Sequence, residues 1–305
     1  MDLDTLHKGR QTIVFDRHPV ILAHSAIAGK KESEGPLAGF FDHTETDTRF
    51  GQKTWEKAET RLQELALDTA RSKAQLQYSD LDVLFAGDLL NQCISSAFAI
   101  RDTRIPFLGL YGACSTMAES LTLAAAAVNA GYAARAAALT SSHFATAERQ
   151  YRFPLGYGGQ RTPTAQWTVT GSGCCIVASG GRGPYLNCAT IGRIEDYGIK
   201  DANNMGAAMA PAAYSTLRAH FADTGLRPQD YDLIVTGDLG TLGSTIVTDL
   251  FQRDGVEFGA NYRDCGVLIY DLKRQDVHAG GSGCGCGASV LCGYLLRQLR
   301  EKKIN

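Results

Sequence analysis

Cys114 carries the clearest chemical potential in the chain. In "FLGLYGACSTMAES" (107–120) it lies in a Gly-Ala turn between an apolar, strand-like run and the start of an alanine-rich helix. A cysteine in that place is either a thiolate nucleophile, stabilised by the helix dipole and free amides, or a small apolar residue flooring a pocket. Thr116 and Glu119 have the spacing of a capping box for this helix, and amides from Ser115 onward suit a carboxylate. A nucleophile also needs a base and an oxyanion hole. His278 precedes the glycine-rich "GGSGCGCGAS" (280–289), which contains Ser282 and would form such a hole. It is a displaced base or a bystander, depending on surroundings that the sequence does not show.

The elements that position these residues are written twice. "YSDLDVLFAGDLLNQ" starts at Tyr78 and "PQDYDLIVTGDLGTLGS" at Pro228, and Asp82, Gly87, Asp88 and Leu89 match Asp232, Gly237, Asp238 and Leu239 at a constant separation of 150 positions. Each copy follows a helical stretch, so helix, Asp-rich turn, buried strand and Gly-Asp turn recur as a unit. "RAAALTSSHF", "TVTGSGCCIVAS", "YLNCATIGRIEDY" and "CGVLIYDL" read as further strands. The alanine-rich helix after Cys114 stops at Gly131, and the last helix, "GASVLCGYLLRQLREKK", is apolar early and cationic late. Layered helices and sheets follow, with two similar α/β halves.

Composition narrows the function classes. With 30 Lys and Arg against 32 Asp and Glu and no basic run, the chain makes a poor nucleic-acid binder. Nine cysteines without regular spacing read as reduced thiols, and no apolar run reaches the length of a membrane span. The expectation is a soluble, cytoplasmic-type protein. Cys284 and Cys286 are one residue apart and Cys174 and Cys175 adjacent, spacings unlike those of zinc sites, so no metal site is expected. "GGSGCGCG" lacks the Lys-Ser/Thr of a phosphate loop.

A Gly-Ala-Cys-Ser turn opening a buried helix, a duplicated half and a late glycine-rich loop resemble the thiolase and β-ketoacyl synthase superfamily. The longer strings "FAGDLLNQ", "GLYGACSTMAESL", "SSHFATAERQYRFPLGYGGQRTPTAQWTVTGSG", "KDANNMGAAMAPAA" and "DVHAGGSGCGC" are similar to one family within it, stage V sporulation protein AD, over nearly the whole chain. The resemblance implies a thiolase-like fold of two duplicated α/β halves, residues 1–183 and 184–305, layered α-β-α-β-α. It also implies a noncatalytic role without a cofactor: binding dipicolinic acid (pyridine-2,6-dicarboxylate), free or with calcium. Its partners would be membrane-embedded SpoVA-type channel subunits that take dipicolinate into the forespore and release it at germination. The chain would then sit peripherally on the forespore or spore inner membrane, and a homodimer is plausible by resemblance. The sequence departs from the acyl-transferring members, since "TGDLGTLGS" has no histidine and Asp264 and Cys265 stand near an expected asparagine. On that reading Cys114 is a relic. The rival reading is an acyl-transfer enzyme of thiolase type, with Cys114 as nucleophile and His278 as base.

A flat aromatic diacid needs cations or amides for two carboxylates and a planar wall for its ring. "ERQYRFPLGYGGQR" places Arg149, Arg152 and Arg161 among Tyr151, Phe153 and Tyr157, although solvated loop charges and packing aromatics explain such residues equally well. Asp88 and Asn91 follow the first repeat strand, at the end where α/β folds place sites. Turn capping competes as the role of Asp88 and of its counterpart Asp238. Asn204 is a pocket residue or a helix cap, and His143, after a strand in "SSHF", is a second pocket histidine. The expected ligand set is thus Cys114, Ser115, His143, Tyr151, Arg152, Arg161, Asn204, Asp88, Asn91, His278 and Ser282.

Overall fold

Cys174 and Cys175 are adjacent in sequence yet belong to two different cores, because successive side chains of a strand point to opposite faces. The strand that carries them lies inside a six-stranded sheet. The computed structural model describes residues 6–151 and 161–305. Its main sheet consists of β1 (Val20–Ala28), β2 (His43–Thr44), β3 (Val83–Gly87), β4 (Phe107–Gly109) and β5 (Arg135–Ser142), together with β7 (Gly171–Ala178). The order is β2-β1-β7-β5-β3-β4. β7 runs antiparallel to both neighbours, whereas β5, β3 and β4 are parallel.

Helix α1 (Trp55–Lys73) covers one face, burying Leu62, Ala66 and Ala70 against Ile27, Leu84, Leu139 and Ile176. On the other face α3 (Thr116–Asn129) and the C-terminal helix bury Met117, Ala124, Cys292 and Leu296 against Phe85, Ala138 and Val177. That last helix starts as α8 (Cys284–Ser289) and passes through a π-turn at Val290–Leu295. Its Cys286 and Val290 also pack against Val169 of the first half and Ile269 and Val235 of the second. There the sheet is short: β8 (Ile234–Thr236) pairs in parallel with β9 (Tyr262–Asp264), and β6 (Trp167–Thr168) with β10 (Gly281–Ser282). Helices α5 (Met205–Thr224) and α6 (Gly240–Arg253) close this half through Tyr214, Val247 and Phe251. The layers therefore run α, β, α, β, α.

The repeat is visible as geometry. Gln77 and Arg227 precede equivalent one-turn helices, and in each the backbone N–H donates to the aspartate three residues on, Asp80 at 2.7 Å and Asp230 at 2.8 Å. The halves also interlock, since Cys188–Thr190 pairs antiparallel with Thr12–Val14.

Two local expectations are corrected. "CGVLIYDL" is not a strand: the chain turns into helix α7 (Cys265–Leu268) because the Asp264 carboxylate caps it, accepting from Gly266 N–H at 3.0 Å. The capping box at Thr116 does not form either. Thr116 is already inside α3, where its hydroxyl donates to Ala113 O at 2.7 Å and accepts from Gly112 N–H at 3.1 Å. Gly131, at φ +78°, follows the helix end as expected.

Candidate functional site

The Cys114 turn sits between the two halves because β4 delivers it to the carboxyl end of the main sheet. Ala113 precedes it in the left-handed region at φ +49°, a conformation that costs an alanine roughly 1–2 kcal/mol. Helix α3 then starts at once. The Ser115 amide is spent inside the turn, donating to Gly112 O at 3.0 Å, and the Ser115 hydroxyl bonds the same carbonyl at 2.8 Å. The expected use of that amide for a carboxylate is therefore corrected.

The thiol of Cys114 meets Asp238, on the turn that leaves β8. Asp238 is buried and accepts from Gly283 N–H at 2.7 Å, next to Ser282. Burial pushes its carboxyl up to about 6. Burial, and then the Asp238 charge, push the Cys114 thiol well above the usual 9.0. The residue as a whole is only half-buried, but its sulfur lies in packed surroundings. A buried thiol facing a carboxylate is held towards its protonated form, since a thiolate there would meet a second negative charge.

Asp264 fixes this arrangement from behind. One oxygen accepts from Gly240 N–H (2.9 Å) and Gly266 N–H (3.0 Å), the other from Leu239 N–H (2.9 Å) and Thr236 Oγ1 (2.7 Å). The bonds from Thr236, Leu239 and Gly240 hold the Asp238 turn, while the one from Gly266 caps α7. The glycine loop does the same on the opposite side: Gly283 has φ +92°, and a Cβ on Gly285 would lie 2.6 Å from Gly171 O. Backbone approach this close admits only glycine.

The other expected residues divide. Ser282 and Cys114 meet at Asp238. At the end of helix α4 (Phe144–Tyr151) the Tyr151 hydroxyl donates to Leu89 O at 2.6 Å and contacts the Tyr111 hydroxyl, which joins it to the rim of the cysteine turn. Asn91 lies on the same rim, paired with Gln150 through two bonds of 3.2 Å. Asp88 is buried in its own turn. His143 is a strut, its Nε2 donating to Thr48 O at 2.7 Å while its Nδ1 accepts from Ala145 N–H at 3.1 Å. Neither nitrogen is left for a ligand. Asn204 caps α5 by accepting from Ala207 N–H at 3.2 Å. His278 donates from Nδ1 to Thr162 O at 2.7 Å and pairs through Nε2 with Asp276 at 2.9 Å, so both its nitrogens are engaged away from Cys114. Arg161 reaches Asp276 O at 3.4 Å and stacks over Trp167 at 5.0 Å. Arg152 lies outside the described residues, as do Phe153 and Tyr157.

Sequence reasoning assigned Asp238 a turn role and so passed over the partner of Cys114. The repeat was the available signal, since Asp238 closes the second copy as Asp88 closes the first. Among the described residues no group of three or more His, Cys, Asp or Glu side chains is placed to hold a metal ion, and no helix is long and apolar enough to cross a membrane.

Comparison with known proteins adds two findings. The profile of the family described as Stage V sporulation protein AD (SpoVAD) matches residues 9–305. The chain is 47% identical to the Stage V sporulation protein AD of Bacillus subtilis (strain 168), over 97% of this chain and 88% of that protein. Solved structures share the fold at low identity. Cerulenin-bound OleA of Xanthomonas campestris matches with a TM-score of 0.63 at 12% identity, covering 96% of this chain and 93% of its own. The 3-oxoacyl-[acyl-carrier-protein] synthase III of Aquifex aeolicus VF5 matches with a TM-score of 0.57 at 12% identity, covering 94% and 92%.

Proposed function

This chain belongs to the stage V sporulation protein AD family and so serves sporulation, and we propose that it does so as a binding protein whose Cys114 site performs no acyl transfer. The observation that carries this reading is the buried Asp238 carboxyl facing the Cys114 thiol, which together with burial pushes that thiol up. Acyl transfer needs a partner that takes the thiol proton and then favours the thiolate. Asp238 takes hold of the proton and opposes the thiolate. Burial and the Asp238 charge push the thiol up, away from the thiolate that acyl transfer uses.

The ligand proposed is dipicolinate, and the charge of the cleft favours its calcium complex over the bare dianion. Ionised Asp238 repels two free carboxylates, whereas a calcium ion held by the pyridine nitrogen and both carboxylates of the ligand cancels them. The protein then needs no metal site of its own. Tyr111 and Tyr151 supply aromatic surface at the rim. The chain would act beside membrane-embedded SpoVA-type subunits in moving dipicolinate into the forespore and out at germination, docked peripherally on the inner membrane, with a homodimer as its proposed state.

Calorimetry with dipicolinate, with and without calcium, tests this on wild type and Asp238→Asn. Wild type is expected to bind the calcium complex at least about tenfold more tightly than the free dianion, a difference that shrinks in Asp238→Asn. No saturable binding in either condition, together with acylation of Cys114 by an acyl-thioester, would return the chain to the enzymes that share its fold.

A further inference from the structure

The main sheet has a second end, opposite the Cys114 turn. β1 and β5 begin there and β7 finishes there, because β7 is antiparallel to both. Arg17 and His18 precede β1, Tyr132 and Arg135 lead into β5, and Arg182 and Tyr185 follow β7. β5 is eight residues long, so this end lies roughly 25 Å from the carboxyl end that carries the cysteine turn.

These side chains form one surface. A Cβ on Gly131 would lie 3.2 Å from Arg17 Nη1, which sets that guanidinium beside Tyr132. The His18 and Tyr185 rings meet edge to face at 5.5 Å, Val20 bridges to Tyr185, and Ala178 pairs with Arg135. Between them runs Ser-Gly-Gly-Arg-Gly-Pro (179–184), whose glycines put no side chain in front of Arg182. The end of the last helix joins the same surface: Arg300 donates to Leu22 O at 2.7 Å, and a Cβ on Gly181 would lie 3.0 Å from Leu22 Cδ1.

Charge sets this end apart. The chain as a whole carries a net charge of −2, yet cations collect here. Arg17 and Arg182 are exposed, and neither they nor Arg135 form an ion pair with a described carboxylate. Lys302 and Lys303 follow Arg300, around the single acidic side chain of Glu301. The acids within the turns are engaged in holding them: Asp16 accepts from Asn129 Nδ2 at 2.9 Å, and Asp82 from the N–H groups of Ala134 and Arg135 at 2.7 and 3.0 Å. Asp232 accepts from Asn305 N–H at 2.8 Å. Two tyrosines stand out of this surface, Tyr132 at 87% exposure and Tyr185 at 59%. Cations beside protruding tyrosines match a bilayer interface, where anionic headgroups attract the charge and phenol rings settle among the headgroups.

We propose that this end of the sheet docks directly on an anionic bilayer, through Arg17, Arg182 and Arg300, with Tyr132 and Tyr185 at headgroup level. The inference rests on the peripheral docking proposed above and adds its face and its chemistry. Lipid itself is then a partner, and the Cys114 site faces away from the bilayer.

The test sediments the whole chain with vesicles of phosphatidylcholine and phosphatidylglycerol in about equal amounts, and with vesicles of phosphatidylcholine alone. Binding to the anionic vesicles is expected to be at least about tenfold tighter, and to be lost when salt rises from about 0.1 to about 0.5 M. Arg17→Glu with Arg182→Glu should weaken it at least about tenfold. Lys53→Glu with Arg274→Glu makes the same change of charge near the carboxyl ends of the strands and should leave binding within about twofold. Tyr132→Ser should weaken it about threefold without altering its dependence on salt. Arg182→Glu alone serves should the double variant fold poorly. No binding to anionic vesicles, equal binding to neutral ones, or equal losses in the two charge-reversed pairs each overturns the proposal. Binding of soluble poly-glutamate without binding of vesicles does so too, by assigning the face to an acidic protein segment. The vesicles hold lipid alone, so failure here leaves docking on membrane subunits, and the reading of the Cys114 site, standing.

Discussion

Asp88 and Asp238 end equivalent strands in the two halves, yet one is sealed into its own loop and the other faces a thiol. Asp88 accepts from Leu90 N–H at 2.9 Å and from the N–H and hydroxyl of Ser96, in helix α2 (Ile94–Ile100), at 2.8 and 2.6 Å. Around it Gln63 bonds both Ser96 and Ser141 at 2.9 Å, and Glu59 accepts from Ser141 and Thr146. Burial first, and then the Asp88 charge, push the Glu59 carboxyl up, so this cluster holds a proton among its carboxylates. Asp238 has its backing supplied by Asp264 and Gly283 and keeps a contact for Cys114. Duplication thus yields one aspartate that builds the scaffold and one that sets the surroundings of the Cys114 thiol.

The largest effect should come from breaking the sealed copy. Asp88→Ala leaves three buried donors without an acceptor and is expected to cost roughly 4 kcal/mol, read as a shift in the denaturation midpoint. Asp238→Ala should cost roughly half as much or less, because one backbone N–H, Gly283, donates to its carboxyl, against two backbone N–H groups and a hydroxyl at Asp88. Equal losses would erase the distinction between the two turns.

Next comes pH. Asp238 has a folded value of about 6 against an ordinary 3.8, so the native state holds its proton more tightly than the unfolded chain does. Its contribution is fully present below about pH 4 and is lost as pH rises through about 6, a change of roughly 3 kcal/mol. Comparing the stability of wild type and Asp238→Asn across that window should show a loss in wild type larger by that amount. Parallel curves would mean that Asp238 is not buried as described.

Much of the scaffold was legible in the sequence, for a physical reason. Repeated strands and their Gly-Asp turns rely on local patterns, as do the alanine-rich α3 and its stop near Gly131, and local patterns survive in a linear string. Long-range capping does not. The helix at Cys265 reads as a strand by composition, and only the Asp264 carboxylate, placed by the β8–β9 pairing, turns it. Likewise the approach of Asp238 to Cys114 joins residues more than a hundred positions apart, and the repeat marks the Asp238 turn without saying what it faces. His143 and Asn204 were visible as polar residues beside strands and helices, but their hydrogen bonds, to Thr48 O and Ala207 N–H, give them structural work.

The most direct test of the central claim is the rate at which iodoacetamide alkylates Cys114, located by peptide mass spectrometry, in wild type and Asp238→Asn at about pH 7.5. If Asp238 holds the thiol in its protonated state, wild type reacts more slowly than a free cysteine, and Asp238→Asn reacts as fast as wild type or faster. If Asp238 instead acts as the base that generates a nucleophile, wild type reacts rapidly and the asparagine variant slows by about tenfold or more. That second result would contradict the account.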